Sequence, residues 1–312
     1  MAAKRRIALS INLSYMGSSE ELLGRIQSLN VWRRGDERAP HKPLLLLMAL
    51  GRLDRGQPRL TRFTVLADPL AQLLREFGPP RRAVHPEYPF WRLQSDGLWE
   101  VPGGDALKKR ASNSDPLKSE LMAHSSGGLP EEVHQLLVGN RVLVRRVARE
   151  LLDAHFPASY HDELLAAVGL HTDVVAERPS RDPRFRQQVL EAYGQACAVC
   201  GFDGRLGAAT FGLDAAHIRW KQAHGPDEVP NGLALCALHH RALDRGAIGL
   251  TEGRRLLVSA KVAGSKEVQN ALVRFQGEPL REPHAEALAP DPMHIAWHRS
   301  EVFRSPARGE PS

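Results

Sequence analysis

Cysteine is scarce in this chain, with three among 312 residues. Three thiols cannot close a disulfide framework, so a small secreted, disulfide-stapled fold is excluded. Aromatic residues make up only 6% of the chain. Long apolar runs are missing too: the longest aliphatic stretch, Leu44 to Leu50, falls far short of the roughly 20 residues a bilayer requires. The basic start, Met1-Ala-Ala-Lys-Arg-Arg6, is not followed by an apolar segment of secretory type. No internal repeat is visible. The expectation is a soluble, cytoplasmic chain. Its hydrophobic content of 42% and charged content of 25% are ordinary for globular proteins, and its length suffices for two cores.

The net charge of +6 is unevenly spread. Residues 1–110 hold 19 Lys and Arg against 11 Asp and Glu, whereas the rest hold 23 against 25. A basic N-terminal part joined to a near-neutral remainder suggests that one part holds nucleic acid and the other acts on it. A basic surface that serves only solubility would have the same composition.

Apolar spacing predicts helices at residues 20–31 (Leu22, Leu23, Ile26, Leu29) and from Pro43 through Leu50, with proline in the first turn. A third is expected from about Pro69 to Phe77, stopped by Gly78-Pro79-Pro80. Residues 88–101 carry two short apolar and aromatic runs around Ser95-Asp96-Gly97, which reads as a β-hairpin. Residues 131–156 return to helical spacing through Val133, Leu136, Leu137, Val142, Val144 and Leu151. Residues 171–182 lose periodicity and read as a linker. Asp182-Pro183 then supplies an N-cap and first-turn proline for a helix ending at Gly194. Further on, 211–220 reads as a strand pair or strand edge, 233–245 as helix, and 255–258 and 271–275 as strand-like pieces.

All three cysteines fall in one pattern. Cys197-Ala-Val-Cys200 is followed, after 35 intervening residues, by Cys236-Ala-Leu-His239-His240. Zn²⁺ takes four tetrahedral ligands from thiolate and imidazole, and a two-residue gap within each pair lets both side chains reach one ion. Cys197, Cys200, Cys236 and His239 therefore form a candidate structural zinc set. His239 and His240 are about 100° apart on a helix, so one can face that ion while the other faces elsewhere.

Between the cysteine pairs lie Ala216-His217-Ile218 and Asn231-Gly232. With Cys236 and His239-His240 they make residues 184–250 resemble the zinc-containing, McrA-like HNH (ββα-metal) endonucleases. The resemblance implies that His217 is the general base, Asn231 the residue that orients the loop and the base, and His240 a ligand of a catalytic divalent metal such as Mg²⁺ or Mn²⁺. Imidazole titrates near neutrality, as a base for phosphodiester hydrolysis must. The family often places a ligand directly before the base, where this chain has Ala216. Asp244, one helical turn after His240, is the candidate replacement, with Asp214 the weaker alternative.

Arg33-Arg34, His41-Lys42-Pro43 and Tyr88-Pro89-Phe-Trp resemble the sulfur-binding domain of phosphorothioation-dependent restriction endonucleases, over about residues 20–160. That resemblance implies double-stranded, phosphorothioated DNA as partner. Tyr88 and Pro89 would wall an apolar pocket for sulfur, which is larger and a poorer hydrogen-bond acceptor than the oxygen it replaces. Arg34, His41 and Lys42 would hold phosphates or base edges, with Arg33 or Arg38 as substitutes for Arg34.

The expected architecture is α+β. A mainly helical DNA-binding domain with a small β-hairpin (1–170) and a linker (171–182) precede a ββα-metal nuclease domain with a zinc knuckle (183–312). The expected activity is modification-dependent DNA cleavage in restriction and defence. Two readings compete with it: an HNH enzyme directed to another mark such as methylated cytosine, and a non-catalytic DNA sensor on a zinc scaffold. Cutting both strands needs two sites or two visits, which admits a homodimer.

Overall fold

The structure, a computed structural model, describes residues 18–31, 37–170, 183–207 and 209–310. The chain divides into two compact units, Met1–Arg34 with Ala39–Arg178, and Gly35–Arg38 with Pro179–Ser312. The expected linker at 171–182, including the Asp182 cap, lies outside the described residues.

The first unit is helical. Helix α1 (18–27) buries Leu22, Leu23 and Ile26. Helix α2 (His41–Asp54) is the central element: Leu44, Leu45, Leu46, Leu47 and Leu50 are all at most 2% exposed. A helix apolar on all sides must be surrounded, and α3 (Phe63–Phe77), α4 (Glu87–Arg92), α7 (Arg141–His155) and α8 (Ala158–Val168) pack against it. Two short helices, α5 (Lys118–His124) and α6 (Glu131–Leu137), complete the unit.

Three expectations need correction here. Helix α3 starts at Phe63, so Pro69 lies inside it rather than at its start. An interior proline costs about 3 kcal/mol, but the buried stripe Phe63, Leu66, Leu70, Leu73, Leu74 and Phe77 runs straight through it. Residues 88–101 do not form a hairpin. After α4, residues Leu93–Asp96 continue as a 3-10 turn, and Gly97 ends it at φ +66°. Phe90 and Leu93, three residues apart, are both fully buried, which is helical spacing. The unit's two-stranded sheet instead joins β1 (Thr61–Arg62) to β2 (Ser126–Gly127), far apart in sequence. Finally, Val142 is 74% exposed. The Asn140 side chain accepts from Leu143 N–H at 3.1 Å and starts α7 so that Leu143, Val144, Val147 and Leu151 face inward.

The second unit opens with α9 (Pro183–Ala192). The small hairpin β3 (Arg205–Leu206) and β4 (Ala209–Thr210) follows it. Next come β5 (Leu213–His217), antiparallel β6 (Gly232–Cys236) and α10 (Ala237–Asp244). This ββα unit shortens the helix expected over 233–245, since its first four residues, 233–236, are strand. Leu233, Ala234 and Leu235 are at most 1% exposed, and a short run buried on both faces does not reveal its own period. Pairing with β5 decides it. Strands β7 (Ile248–Leu250) and β8 (Leu256–Val258) form a further pair, as expected near 255–258. Residues 271–275, expected as strand, are instead the end of α11 (Lys266–Ala271) and a 3-10 turn. Helix α12 (Pro292–Glu301) follows.

Candidate active site and thiol cluster

Cys197 and Cys200 sit in the turn after α9, Cys236 is the last residue of β6, and His239 lies in the first turn of α10. Their four ligand atoms lie within 4.8 Å of one another. His239 Nδ1 is 3.1 Å from Cys236 Sγ and 3.6 Å from Cys197 Sγ, and Cys200 Sγ is 4.0 Å from Cys236 Sγ. A tetrahedron with metal–sulfur bonds of about 2.3 Å has sulfur–sulfur edges of roughly 3.8 Å, so the spacing fits one ion. The far nitrogen, His239 Nε2, lies 2.9 Å from the Ala271 carbonyl. Donating there fixes the tautomer that points Nδ1 at the thiols, a usual outer contact of metal-binding imidazoles. The thiols cannot all ionise unaided. Hydrogen bonding from Cys236 pulls Cys197 down to about 3, and Cys236 is driven up in turn. A cation at the centre would resolve that conflict.

The second cluster lies on the ββα unit. His217 is the last residue of β5, paired with Gly232. Its ring stacks on Phe185 of α9, with centroids 4.2 Å apart and planes at 20°. Burial lowers its basicity below the ordinary imidazole value, and the neighbouring Asp227 opposes that shift without overcoming it. Nε2 of His217 lies 2.7 Å from Asp227 Oδ1.

Asn231 is fully buried. Its Oδ1 accepts from Arg219 N–H at 2.8 Å, and Nδ2 donates to the carbonyls of Arg219 and Pro226, each at 2.9 Å. The loop between β5 and β6 is thereby closed on itself. Gly225 belongs to that closure, because a Cβ there would sit 1.8 Å from the Arg219 carbonyl oxygen. Asn231-Gly232 is no turn: Gly232 is extended (φ −121°) and begins β6, where a Cβ would meet Val189 of α9 at 2.5 Å.

His240, 8% exposed, points away from the thiols. Its Nε2 lies 3.4 Å from Asp244 Oδ2 and its Nδ1 3.6 Å from Asp214 Oδ2. The two carboxylates thus face opposite nitrogens of one ring and cannot both join His240 on a single ion. Asp244 has a side chain only 4% exposed and lies close enough to His217 to act on its charge. Asp214 is 40% exposed and also faces Arg186 at 3.9 Å. Ala216 is wholly buried in the apolar core, so nothing at that position offers a ligand.

In the first unit, Arg34 and Arg33 lie outside the described residues. Arg38 belongs to the second unit, where its guanidinium bonds the Glu301 carbonyl and covers Trp220. His41 is the half-buried first residue of α2. Lys42 bonds the Asn30 carbonyl at 2.8 Å and pairs with Asp96, their side chains 13% and 6% exposed. Lys42 is therefore committed inside the fold. Tyr88 is half-buried and Pro89 is buried.

Sequence reasoning missed the groups around Tyr88. Arg110 donates to its hydroxyl at 3.1 Å, Arg92 lies over its ring at 4.6 Å, and His85 stacks on it at 4.8 Å. Asp115 holds Arg92 at 2.6 Å, and buried Glu87 faces His85 and Arg110. No sequence motif marks these residues, which converge from two segments, 85–92 and 110–115.

Residues 19–173 match the ScoMcrA-like DNA sulfur-binding domain family, and residues 197–251 match the HNH endonucleases. The chain is an HNH-type DNA endonuclease carrying a ScoMcrA-like sulfur-binding domain. Among solved structures, the endonuclease is similar to the sulfur-binding domain of ScoMcrA complexed with phosphorothioated DNA. That match has 29% identity and a TM-score of 0.43, covering 49% of this chain and 96% of that one. The sulfur-binding domain of SprMcrA, also complexed with phosphorothioated DNA, matches at 26% identity and a TM-score of 0.40, covering 49% and 94%. ScoMcrA itself, a type IV phosphorothioation-dependent restriction endonuclease, matches at 29% identity and a TM-score of 0.41 over 50% of this chain. The match spans only 29% of that protein's length. No curated protein matches the chain. Among the described residues, no helix is long and apolar enough to cross a membrane.

Proposed function

We propose that this endonuclease binds phosphorothioated double-stranded DNA through its N-terminal unit and hydrolyses phosphodiester bonds near the modified site. The observation that carries the reading is the pairing, in one chain, of a sulfur-binding domain with an HNH-matched ββα unit whose elements carry His217, Asn231 and His240. In this reading the functional division falls at residues 171–182.

Tyr88, beside Pro89 and held at its hydroxyl by Arg110, would form one wall of the sulfur site, and His41 and the Arg34 region would contact the DNA backbone. In the nuclease unit His217 takes a proton from the attacking water. Its lowered basicity keeps the ring neutral at physiological pH, the form a base must have. Asn231 holds the loop that carries the base's neighbours. At this site the Asp244 carboxylate suits a hard divalent cation such as Mg²⁺ or Mn²⁺, and the His240 imidazole would add a second donor. Such a cation would neutralise charge developing on the scissile phosphate and the leaving oxygen. The softer Cys197, Cys200, Cys236 and His239 set suits Zn²⁺ and would hold the fold.

The test is incubation of phosphorothioated and plain plasmid with wild-type and His217→Ala protein, with and without Mg²⁺ or Mn²⁺. Metal-dependent cleavage of the modified plasmid alone is expected, abolished by the substitution. Equal cleavage of both plasmids would remove the specificity claim, and cleavage of neither would favour a non-catalytic sensor.

A further inference from the structure

We infer that Asp227 is a positioning residue for His217, holding the imidazole in the one tautomer and orientation in which Nδ1 can accept a proton from water. The inference rests on reading His217 as the general base.

The geometry is specific. Asp227 Oδ1 lies 2.7 Å from His217 Nε2, and its other oxygen, Oδ2, lies 2.6 Å from Lys221 Nζ. An ionised carboxylate only accepts, so the hydrogen on the neutral ring must sit on Nε2. Nδ1 then keeps the lone pair. Burial alone would raise the Asp227 carboxyl, but hydrogen bonds from Lys221 and His217 outweigh it and hold the group below the usual carboxylate range. Asp227 therefore stays an acceptor at any pH at which the base could work. Phe185 fixes the plane of the ring by stacking, which still leaves the ring free to flip; the contact to Asp227 removes that freedom.

The loop is built to deliver this carboxylate. Asn231 Nδ2 holds the carbonyl of Pro226, the residue directly before Asp227, while Asn231 Oδ1 holds Arg219, two residues beyond His217. One buried amide thus ties the base's strand to the segment that orients the base. The charged groups acting on His217 are Asp227, Lys221 and Asp244.

The test uses the full chain, loaded with Zn²⁺, and compares Asp227→Ala, Asp227→Asn and Asp227→Glu with His217→Ala. Cleavage of phosphorothioated and plain plasmid in Mn²⁺ is followed together with the ¹⁵N shifts of the His217 ring. Loss of an outer partner of this kind lowers kcat by about 10- to 100-fold. KM and the Mn²⁺ dependence are expected to stay unchanged, and the acid limb of the pH profile to move to lower pH. Glutamate should restore part of the activity, and wild type should show protonation at Nε2, lost to a tautomer mixture in the alanine protein.

If His217→Ala remains active, the base reading itself fails. If His217→Ala is inactive while Asp227→Ala stays within about twofold of wild type, the positioning role is overturned. A changed Mn²⁺ dependence would make Asp227 a metal ligand instead, and an unchanged tautomer would also refute the proposal. Should the alanine protein fail to fold by circular dichroism, the isosteric Asp227→Asn protein supplies the tautomer measurement.

Discussion

Replacing Asn231 with alanine removes three hydrogen bonds from a fully buried site. The Arg219 N–H and the carbonyls of Arg219 and Pro226 would each lose the hydrogen bond that Asn231 gives them. Each buried group left unsatisfied costs about 1–3 kcal/mol, so a loss of roughly 3–5 kcal/mol is expected, allowing for partial water entry. Against a total stability of about 5–15 kcal/mol this is severe. It corresponds to a fall of about 10 °C or more in the melting midpoint of the second unit. Asn231→Asp sharpens the reasoning. It has the same shape, but it turns a carboxylate oxygen toward two carbonyl oxygens, so it should be at least as destabilising as alanine. Thermal melts by circular dichroism and calorimetry, on zinc-loaded protein, read both variants. If either melts within about 1 °C of wild type while cleavage is lost, Asn231 acts in the chemistry rather than by closing the loop, and this reasoning is wrong.

Three further outcomes follow from other parts of the molecule. Lys42→Met should destabilise the first unit by about 1–3 kcal/mol whether or not DNA is present, because Asp96 loses its cation and keeps only the Asn30 N–H; a melt unchanged from wild type would return Lys42 to the pool of DNA-contacting cations. Removing metal with a strong chelator, or substituting Cys236→Ser, should lower the melting midpoint of the second unit far more than that of the first; equal shifts would contradict a local zinc staple. His298 is fully buried and its pKa is lowered by burial to about 4, while its Nε2 faces the Leu243 carbonyl. The unfolded chain binds a proton there from about pH 6.5 downward and the folded chain does not, so stability is full above pH 6.5 and falls by about 3 kcal/mol toward pH 4. A His298→Gln protein whose denaturation midpoint falls just as steeply over that range would refute the assignment.

Where a residue's role depends on local spacing, sequence sufficed to locate it. The C-x2-C and C-x2-H gaps predicted a four-atom cluster that the fold brings within 4.8 Å. The 100° step between His239 and His240 predicted that the two rings face different sites, as they do. Helix α2 was legible because seven consecutive apolar residues after His-Lys-Pro have few other solutions. Periodicity failed where burial is two-sided or where a glycine has more than one use. Leu233-Ala-Leu235 has no period of its own, and Ser95-Asp-Gly97 ends a helical turn rather than joining two strands.

Sequence by itself determined the ligand chemistry of this protein: which side chains are soft, which are imidazoles near neutrality, and how far apart they stand along one strand or helix. Those are properties of residue type and of spacing within one element. Tertiary structure alone decided which partners those groups meet. Asp227 reaches His217 because a buried asparagine closes the loop between β5 and β6. Asp214 of β5 comes to face Nδ1 of His240 on α10. Lys42 is turned inward onto Asp96, 54 residues away. Such contacts form between segments that carry no mark of one another, so only the packing of the folded chain selects them.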